Sequence, residues 1–257
     1  MSIFHYEQPP QPTNGESQAP TPRVQVDLPA RKPIVTYVLL GVTVVFYLLQ
    51  LLSENLTGLD LPFAFLGKFN QLILYGELWR LFTPALLHGS IMHLVFNMYA
   101  LYIFGNNLEY QYGHLRFFLL YLMGAFAGNV ASFVLTANPS LGASTAIFGL
   151  LAAEGVFIYR NRRFFGSRAR SILTNIVLVL GFNLFLGLTP GSYIDNWGHM
   201  GGLIGGLLFA WTAGPLWEMQ VDLQGYRLVD KQKKAQVWFG VLVVMAAFSV
   251  LAITRWF

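Results

Sequence analysis

The 257-residue sequence contains no cysteine and few charged residues. Without cysteine the chain forms no disulfide, offers no thiol nucleophile and provides no thiolate ligand for a metal. Charged residues make up 11% of the chain, whereas ordinary soluble domains contain roughly a quarter. So few charges cannot cover the surface of a soluble domain of this size. Disordered, coiled-coil, disulfide-rich and soluble nucleotide-binding classes are therefore disfavoured.

Apolar residues dominate instead, at 55% of the chain, and the mean hydropathy is +0.52. A transmembrane helix requires about 20 apolar residues. Seven largely uncharged runs of suitable length occur at about 34–53, 90–109, 117–136, 144–160, 171–188, 197–217 and 236–254. The turn sequence from Asn138 to Gly142 separates the third run from the fourth. The sequence therefore predicts an all-α polytopic membrane protein with seven spans.

The remaining segments predict the domain organisation. Residues 1–33 are rich in Pro and Gln and lack an apolar run, so we expect a disordered cytoplasmic tail without a signal peptide. The partly apolar segment 54–89 is expected to be structured at the membrane interface. A membrane domain at 34–216 would be followed by a cytoplasmic loop at 217–235 and a seventh helix with the C-terminus at 236–257.

Lysine and arginine predict the orientation. With a cytoplasmic N-terminus, thirteen of these residues lie on the cytoplasmic side and only Lys68, Arg80 and Arg255 lie opposite. The positive-inside rule therefore predicts a cytoplasmic N-terminus and an extracytoplasmic C-terminus. The basic residues would face anionic lipid headgroups, so the net charge of +4 does not require a nucleic-acid partner. The absence of an evident presequence favours a bacterial-type plasma membrane over an organelle.

Polar residues inside the spans are candidates for function because they are costly in a bilayer. They are His93, Asn97, Ser144, Glu154 and His199. Counted to the next cytoplasmic charge at 1.5 Å per residue, His93, Ser144 and His199 lie roughly 24, 24 and 28 Å above the inner boundary. The three groups therefore share one level, somewhat below the outer surface.

A serine and a histidine at one depth are the minimal parts of a nucleophile and its general base. The oxyanion formed by attack needs hydrogen-bond donors. The backbone N–H of Ser144 at a helix N-terminus is one candidate donor. His93 and Asn97 are spaced i, i+4 and share a helix face, so they are further candidates.

Small residues predict that the fourth and sixth spans approach closely. Such an approach is required if a short serine side chain is to reach an imidazole. In the sixth span Gly198, Gly202 and Gly206 recur every four residues, and the fourth offers Ala146, Gly149 and Ala153.

These strings carry a family resemblance. G-A-S-T-A-I-F-G at 142–149 and N-W-G-H-M-G-G-L-I-G-G at 196–206 resemble the serine and histidine motifs of the rhomboid intramembrane proteases. H-G-S-I-M-H-L-V-F-N at 88–97 resembles the H-x-x-x-N helix of that family, and E-L-W-R at 77–80 resembles its W-R loop signature. The segment from Gly105 to Glu109 resembles the end of the second rhomboid helix. The resemblance covers about 34–216.

The resemblance implies a rhomboid-like six-helix core plus one C-terminal helix, with Ser144 and His199 as a catalytic dyad that lacks a third carboxylate and a cofactor. It implies cleavage of single-span membrane proteins near the outer face through an acyl-enzyme. A mobile fifth helix and a loop over the site would admit the substrate. Supporting roles are implied for Gly142, Phe148, Trp79 and Arg80.

Two positions depart from the pattern. Thr145 follows the proposed nucleophile where glycine or serine is expected, which raises the question of crowding. Phe148 stands where some members carry tyrosine. An aromatic ring there can pack against His199 but cannot donate a hydroxyl hydrogen bond.

Simpler interpretations remain open for each polar residue. Ser144 could be a helix N-cap. His199 could serve merely to hydrogen-bond one helix to another, and so could His93 and Asn97. His88 is expected to belong to the loop architecture. A zinc site formed by His88, His93 and His199 is disfavoured because no suitable carboxylate or cysteine accompanies them.

Other residues are expected outside the chemistry. Glu154 lies about 15 Å below Ser144, too far for proton transfer, and is expected to be neutral, paired with a group such as Asn183, or close to the lower interface. A role for Asp195 as a third triad member is disfavoured, because this residue lies where the chain should already be leaving the bilayer. Trp79 and Arg80 are expected to fix the first loop rather than touch the substrate.

Two other functions remain as alternatives. The same fold could serve a non-proteolytic membrane chaperone or adaptor, for which Thr145 leaves room. A transporter would place paired charges or interrupted helices on both sides of a midplane site, whereas the polar groups here gather on one side.

Overall fold

The computed structural model describes residues 26–27, 32–222 and 225–256 of the chain. Within them the helices are α1 Ile34–Thr57, α2 Leu61–Leu66, α3 Asn70–Leu74, α4 Ile91–Tyr112, α5 His114–Leu135, α6 Ser144–Arg160, α7 Arg168–Gly187, α8 Asn196–Ala213 and α9 Lys234–Ile253. The strands are β1 Val26–Asp27, β2 Trp217–Asp222 and β3 Gly225–Asp230. We call the end of the bundle where α6 begins the serine end, and the opposite end the basic end.

The long helices confirm the predicted all-α polytopic membrane protein, and each coincides with one predicted span. By length and composition, α1, α5, α7 and α9 qualify as membrane spans among the described residues. The other long helices, α4, α6 and α8, carry the candidate polar residues and most of the packing glycines. The seven-span count therefore remains a prediction for these three.

The predicted end of the sixth span was wrong by four residues. Helix α8 ends at Ala213, and the chain is extended from Gly214. The cause is local, because Pro215 disfavours helical conformation in the residue before it. The chain then enters β2 rather than continuing as a helix.

Helices α5, α6 and α8 form the centre of the bundle through glycine contacts. A Cβ atom at Gly206 would lie 2.3 Å from the carbonyl oxygen of Gly149 on α6. A Cβ atom at Gly205 would lie 2.3 Å from the Cβ atom of Ala127 on α5. Helix α8 therefore packs closely on two sides, and the α5 side was not anticipated from the sequence.

A buried carboxylate attaches α1 to α4. Glu109 accepts hydrogen bonds from the backbone N–H of Val35 at 2.8 Å and of Thr36 at 2.7 Å, and from the Thr36 hydroxyl at 2.7 Å. Pro33 before α1 provides no side-chain cap, so Glu109 satisfies N–H groups that the helix leaves without partners. A Cβ atom at Gly105 would lie 2.7 Å from Thr36, so this glycine allows the contact.

The segment between α1 and α4 is structured, as expected, and holds α2, α3 and two short 3₁₀ turns. The buried Arg80 guanidinium donates to the carbonyls of Gly67 at 2.7 Å and Ala64 at 2.9 Å, and pairs with Glu77 at 2.6 Å. The Trp79 indole donates to a neighbouring backbone carbonyl in the same segment. Both side chains are engaged in holding this loop together.

At the basic end, β1, β3 and β2 form a small sheet in that order. Strand β3 pairs antiparallel with β2 and parallel with β1. Arg116 at the start of α5 pairs with Asp230 at 2.8 Å, which ties the hairpin to the bundle. The rest of the predicted tail, residues 1–25 and 28–31, lies outside the described residues.

Candidate active site

Ser144 and His199 meet at the serine end of the bundle. Ser144 is the first residue of α6, and His199 lies in the first turn of α8. The Ser144 hydroxyl oxygen is 2.9 Å from Nε2 of His199. His199 is buried, whereas Ser144 is half-buried and keeps contact with the surface. Because Ala143 is the N-cap and α6 has no side-chain cap, the N-cap interpretation of Ser144 is wrong.

The N-terminus of α6 provides backbone donors beside this pair. Ile147 is the first residue of the helix whose N–H bonds back, to the carbonyl of Ala143. The preceding N–H groups of the first turn have no acceptor within the helix. Together with the positive end of the helix dipole, they favour negative charge near the Ser144 hydroxyl.

His93 lies on the same side of Gly142 as Ser144. Gly142 has a φ of +130°, which L-residues with side chains rarely adopt. A Cβ atom at this position would lie 2.8 Å from Cε1 of His93 and 3.6 Å from the Ser144 hydroxyl oxygen. The glycine therefore leaves the space that His93 and Ser144 share.

Asn97 is one turn from His93 and is buried. Its amide donates to the backbone carbonyl of His93 at 3.1 Å. The structure thus brings His93 to the serine, whereas one N–H of the Asn97 amide is engaged within its own helix.

His88 lies behind His93 and extends the polar group. Their ring centroids are 4.9 Å apart, and neither ring nitrogen of His88 has a partner among the described residues. Burial, and to a lesser extent the charge of a protonated His93, lower the pKa of His88 to about 3, so this ring is neutral near pH 7. The His88 backbone N–H donates to Gln50 at 3.0 Å, and Gln50 bonds Asp60 at 2.7 Å. Sequence reasoning missed Gln50, although a glutamine within an apolar span was a signal.

An aromatic ring covers one face of the His199 imidazole. Phe148 stacks on the imidazole with centroids 4.1 Å apart and planes at 15°. Nδ1 of His199 has no hydrogen-bond partner among the described residues. Asp195 instead caps α8 by accepting from the Gly198 N–H at 2.9 Å, and it also accepts from the Ser132 hydroxyl. Asp195 is therefore not hydrogen-bonded to His199, and the disfavoured role as a third triad member has no support in this geometry.

Thr145 is accommodated by glycines on both neighbouring helices. A Cβ atom at Gly128 on α5 would lie 2.5 Å from Cβ of Thr145. A Cβ atom at Gly198 on α8 would lie 3.2 Å from Cγ2 of Thr145. The extra bulk that departs from the rhomboid pattern is thus buried in the helix interface.

Glu154 does not meet the partner suggested for it. Pairing with Asn183 was one of three alternatives for Glu154, and it is wrong because the Asn183 amide donates to the Val179 carbonyl at 2.8 Å. Oε2 of Glu154 has no partner among the described residues. Among the described residues, no three His, Asp or Glu side chains lie close enough together to hold a metal ion.

These features define a polytopic helical membrane protein with a serine–histidine pair near one end of its bundle. The family model described as "Rhomboid domain" matches residues 75–216. That match covers more than half of the chain, which therefore belongs to the rhomboid family, as its motifs predicted.

Curated relatives give the same family. The chain is 43% identical over 183 residues to "Rhomboid protease GluP" of Bacillus subtilis (strain 168), which is 71% of this chain and 35% of the relative. It is 33% identical over 168 residues to "RHOMBOID-like protein 9, chloroplastic" of Arabidopsis thaliana, which is 65% of this chain and 38% of the relative. The aligned region thus spans little more than a third of the length of these relatives.

Proposed function

We propose that the protein is an intramembrane serine endopeptidase that cleaves transmembrane segments of membrane proteins near the outer face. The observation that carries this proposal is the 2.9 Å contact between the Ser144 hydroxyl and Nε2 of His199. Its position at an uncapped helix N-terminus adds donors where negative charge would develop. The similarity to a relative named as a protease supports the same activity.

In the proposed reaction, Ser144 attacks the scissile carbonyl while Nε2 of His199 takes the hydroxyl proton. The tetrahedral oxyanion accepts hydrogen bonds from the Ser144 N–H and from His93. Asn97 contributes through the N–H of its amide that does not bond to the helix. Collapse of the intermediate releases the amine, which takes the proton from His199, and leaves an acyl-enzyme. Water then attacks the ester by the reverse route.

Solvent and substrate would both approach from the serine end. Ser144 and His93 are half-buried rather than sealed, which supports entry of water to the site. Irregular backbone at this depth is tolerated where it lines such a cavity. Single-span membrane proteins are the proposed substrates, and Trp79 and Arg80 would act by holding the adjacent loop.

We place the protein in a bacterial-type plasma membrane, with its N-terminus in the cytoplasm and its C-terminus outside. Residues 34–216 would be the catalytic membrane domain, and the sheet within 217–235 would lie in the cytoplasm. The chain has no cysteine, so single cysteines at Ser167 and Ser192 can report each side. An impermeant maleimide applied to intact cells should label Ser192→Cys and leave Ser167→Cys unlabelled. The opposite pattern would reverse the assigned orientation.

The activity is tested by reconstituting the full chain with a single-span substrate. Wild type should cleave it, whereas Ser144→Ala and His199→Ala should each lose at least about a thousandfold in rate, because a nucleophile and its base act as a unit. A serine-directed fluorophosphonate should label the wild type and spare Ser144→Ala.

Ser192→Ala is the matched control, because Ser192 lies in the loop before α8 and bonds only locally. It should retain both cleavage and labelling. Loss of cleavage in folded Ser144→Ala without loss in Ser192→Ala supports the protease. An inactive and unlabelled wild type, tested against a broad panel of substrates, would favour the non-proteolytic adaptor.

A further inference from the structure

A groove at the basic end lies far from Ser144 and has no part in the proposed chemistry. It measures about 710 Å³ and lies between the C-terminus of α6, the following turn and the first half of α7. Its lining combines three arginines with apolar and aromatic side chains. The lining includes Tyr159, Arg162, Arg163, Arg170, Leu173 and Val177.

The arginines gather at one end of the groove without acidic partners. Among the described residues, Arg162, Arg163 and Arg170 form no ion pair with a carboxylate. The Arg162 guanidinium lies 4.9 Å from the ring centre of Tyr159, and that of Arg163 donates to the Trp217 carbonyl at 2.7 Å. These contacts fix two guanidinium groups while using few of their five donors.

Arg160 is close in sequence to the three groove arginines but differs from them in its hydrogen bonds. Its guanidinium donates to the carbonyls of Trp211 at 2.9 Å and of Ala210 and Gly214 at 3.4 Å. It therefore completes the C-terminus of α8, and helix structure explains its charge. Arg162 and Arg163 each donate to one backbone carbonyl, and the described residues offer no comparable set of three acceptors to any of the groove arginines.

The apolar part of the groove continues along one face of α7. Arg170, Leu173 and Val177 follow the spacing of a single helix face, with the charge at the end of the bundle and the apolar residues toward its middle. Val177 is 66% exposed, and only 11% of the apolar stretch of α7 is buried within the protein. Charge followed by an uncovered apolar strip matches a phosphate headgroup and its acyl chain.

We propose that this groove binds one anionic phospholipid. The phosphate accepts charge-assisted hydrogen bonds from Arg162, Arg163 and Arg170. One acyl chain lies along Leu173 and Val177. The bound lipid fastens the first half of α7 to α6, while the half of α7 near the serine end stays uncovered. The proposal requires only that the protein is embedded in a membrane, so it is independent of proteolysis.

The test measures retained lipid in the full chain, assembled into nanodiscs of phosphatidylcholine with a minor fraction of phosphatidylglycerol and then extracted into detergent. Mass spectrometry should find about one phosphatidylglycerol per wild-type chain. The triple variant R162Q/R163Q/R170Q should retain less by on the order of tenfold, since several charge-assisted bonds are lost. Thr174→Trp should give a similar loss, because Thr174 lines the groove and the indole occupies it without changing charge.

The control variant K32Q/R227Q/K231Q removes the same charge from the same end but outside the groove, and it should retain wild-type lipid. Excess glycerol phosphate, the soluble headgroup, should not displace the bound lipid. Equal loss in both triple variants, or wild-type retention in Thr174→Trp, would mean a diffuse electrostatic attraction and would overturn the site. Displacement by glycerol phosphate would make it an anion site instead. Thermal unfolding of each variant confirms that the chain is folded.

Discussion

In α5, 72% of the residues in the apolar stretch are buried within the protein, against 11% in α7 and 28% in each of α1 and α9. All four helices are apolar enough to cross a membrane, so hydropathy does not distinguish the central helix from the peripheral ones. The other two central helices, α6 and α8, do not qualify by the same measure of length and composition. Apolar character therefore does not select the helices at the centre of the bundle, and another property must do so.

Small and polar residues are what the central helices share. Lipid tails are as apolar as leucine side chains, so helices in a bilayer gain little by burying leucine against each other. They gain from close backbone packing, which glycine allows, and from hydrogen bonds between helices. The Ser144–His199 pair lies where these conditions hold, since the two residues come from helices that pack on each other through glycine.

The largest effect on the free energy of unfolding should come from a substitution that fills the space beside a central glycine. Gly206→Ala places a methyl group within 2.4 Å of the Gly149 backbone, and backbone cannot move aside as a flexible side chain can. We expect a loss of about 3 kcal/mol in unfolding free energy, measured by denaturant titration in mixed micelles.

Gly41→Ala on α1 is the peripheral counterpart of that variant. A Cβ atom there meets no other atom within 4 Å, so it should be neutral or stabilise by up to about 1 kcal/mol. Equal destabilisation by both substitutions would contradict the distinction between the centre and the periphery.

Glu109 differs from these glycines because it attaches the peripheral helix α1 through a buried polar group. Glu109→Gln keeps the size but cannot accept all the bonds from Val35, Thr36 and His114 that the carboxylate receives. We expect a loss of about 2 kcal/mol in unfolding free energy. Limited proteolysis should then cut first near the N-terminus of α1, whereas unchanged protection there would show that Glu109 does not anchor it.

The sequence predicted the helices well because apolar runs bounded by charges and turns locate them directly. It also predicted the meeting of Ser144 and His199, since matched depth and the rhomboid motifs point to the same contact. Both inferences rest on signals that can be read along the chain, namely hydropathy, depth in the membrane and motifs.

What the sequence did not predict depended on how distant side chains pair. The carboxylate of Asp195 accepts a hydrogen bond from Ser132, which is 63 residues away in the sequence. Asn183 was a plausible partner for Glu154 by composition, but the fold leaves its amide on its own helix. The second packing face of α8 depended likewise on the position of α5.

Asp195 tests whether the central pair works without a carboxylate. Asp195→Asn preserves a good N-cap, so both stability and cleavage should stay near wild type. Asp195→Ala removes the cap and should cost about 1 kcal/mol in unfolding free energy. A large loss of cleavage rate in Asp195→Asn, with unchanged stability, would restore the carboxylate to the catalytic machinery.

The smallest expected effect concerns the ring that stacks on His199. Phe148→Leu keeps an apolar side chain in the central interface but removes the aromatic face 4.1 Å from the imidazole. Aromatic pairs contribute about 0.5–1.5 kcal/mol beyond their buried area, so cleavage should slow by a few-fold to about tenfold. Phe148→Tyr retains the stacking and should restore most of the rate. Phe239→Leu on α9 alters a ring that is 57% exposed, and it should leave the rate unchanged. If Phe148→Leu matches Phe239→Leu, the imidazole is held by its bond to Ser144 and by helix packing alone, and the aromatic ring in the centre serves only to fill space.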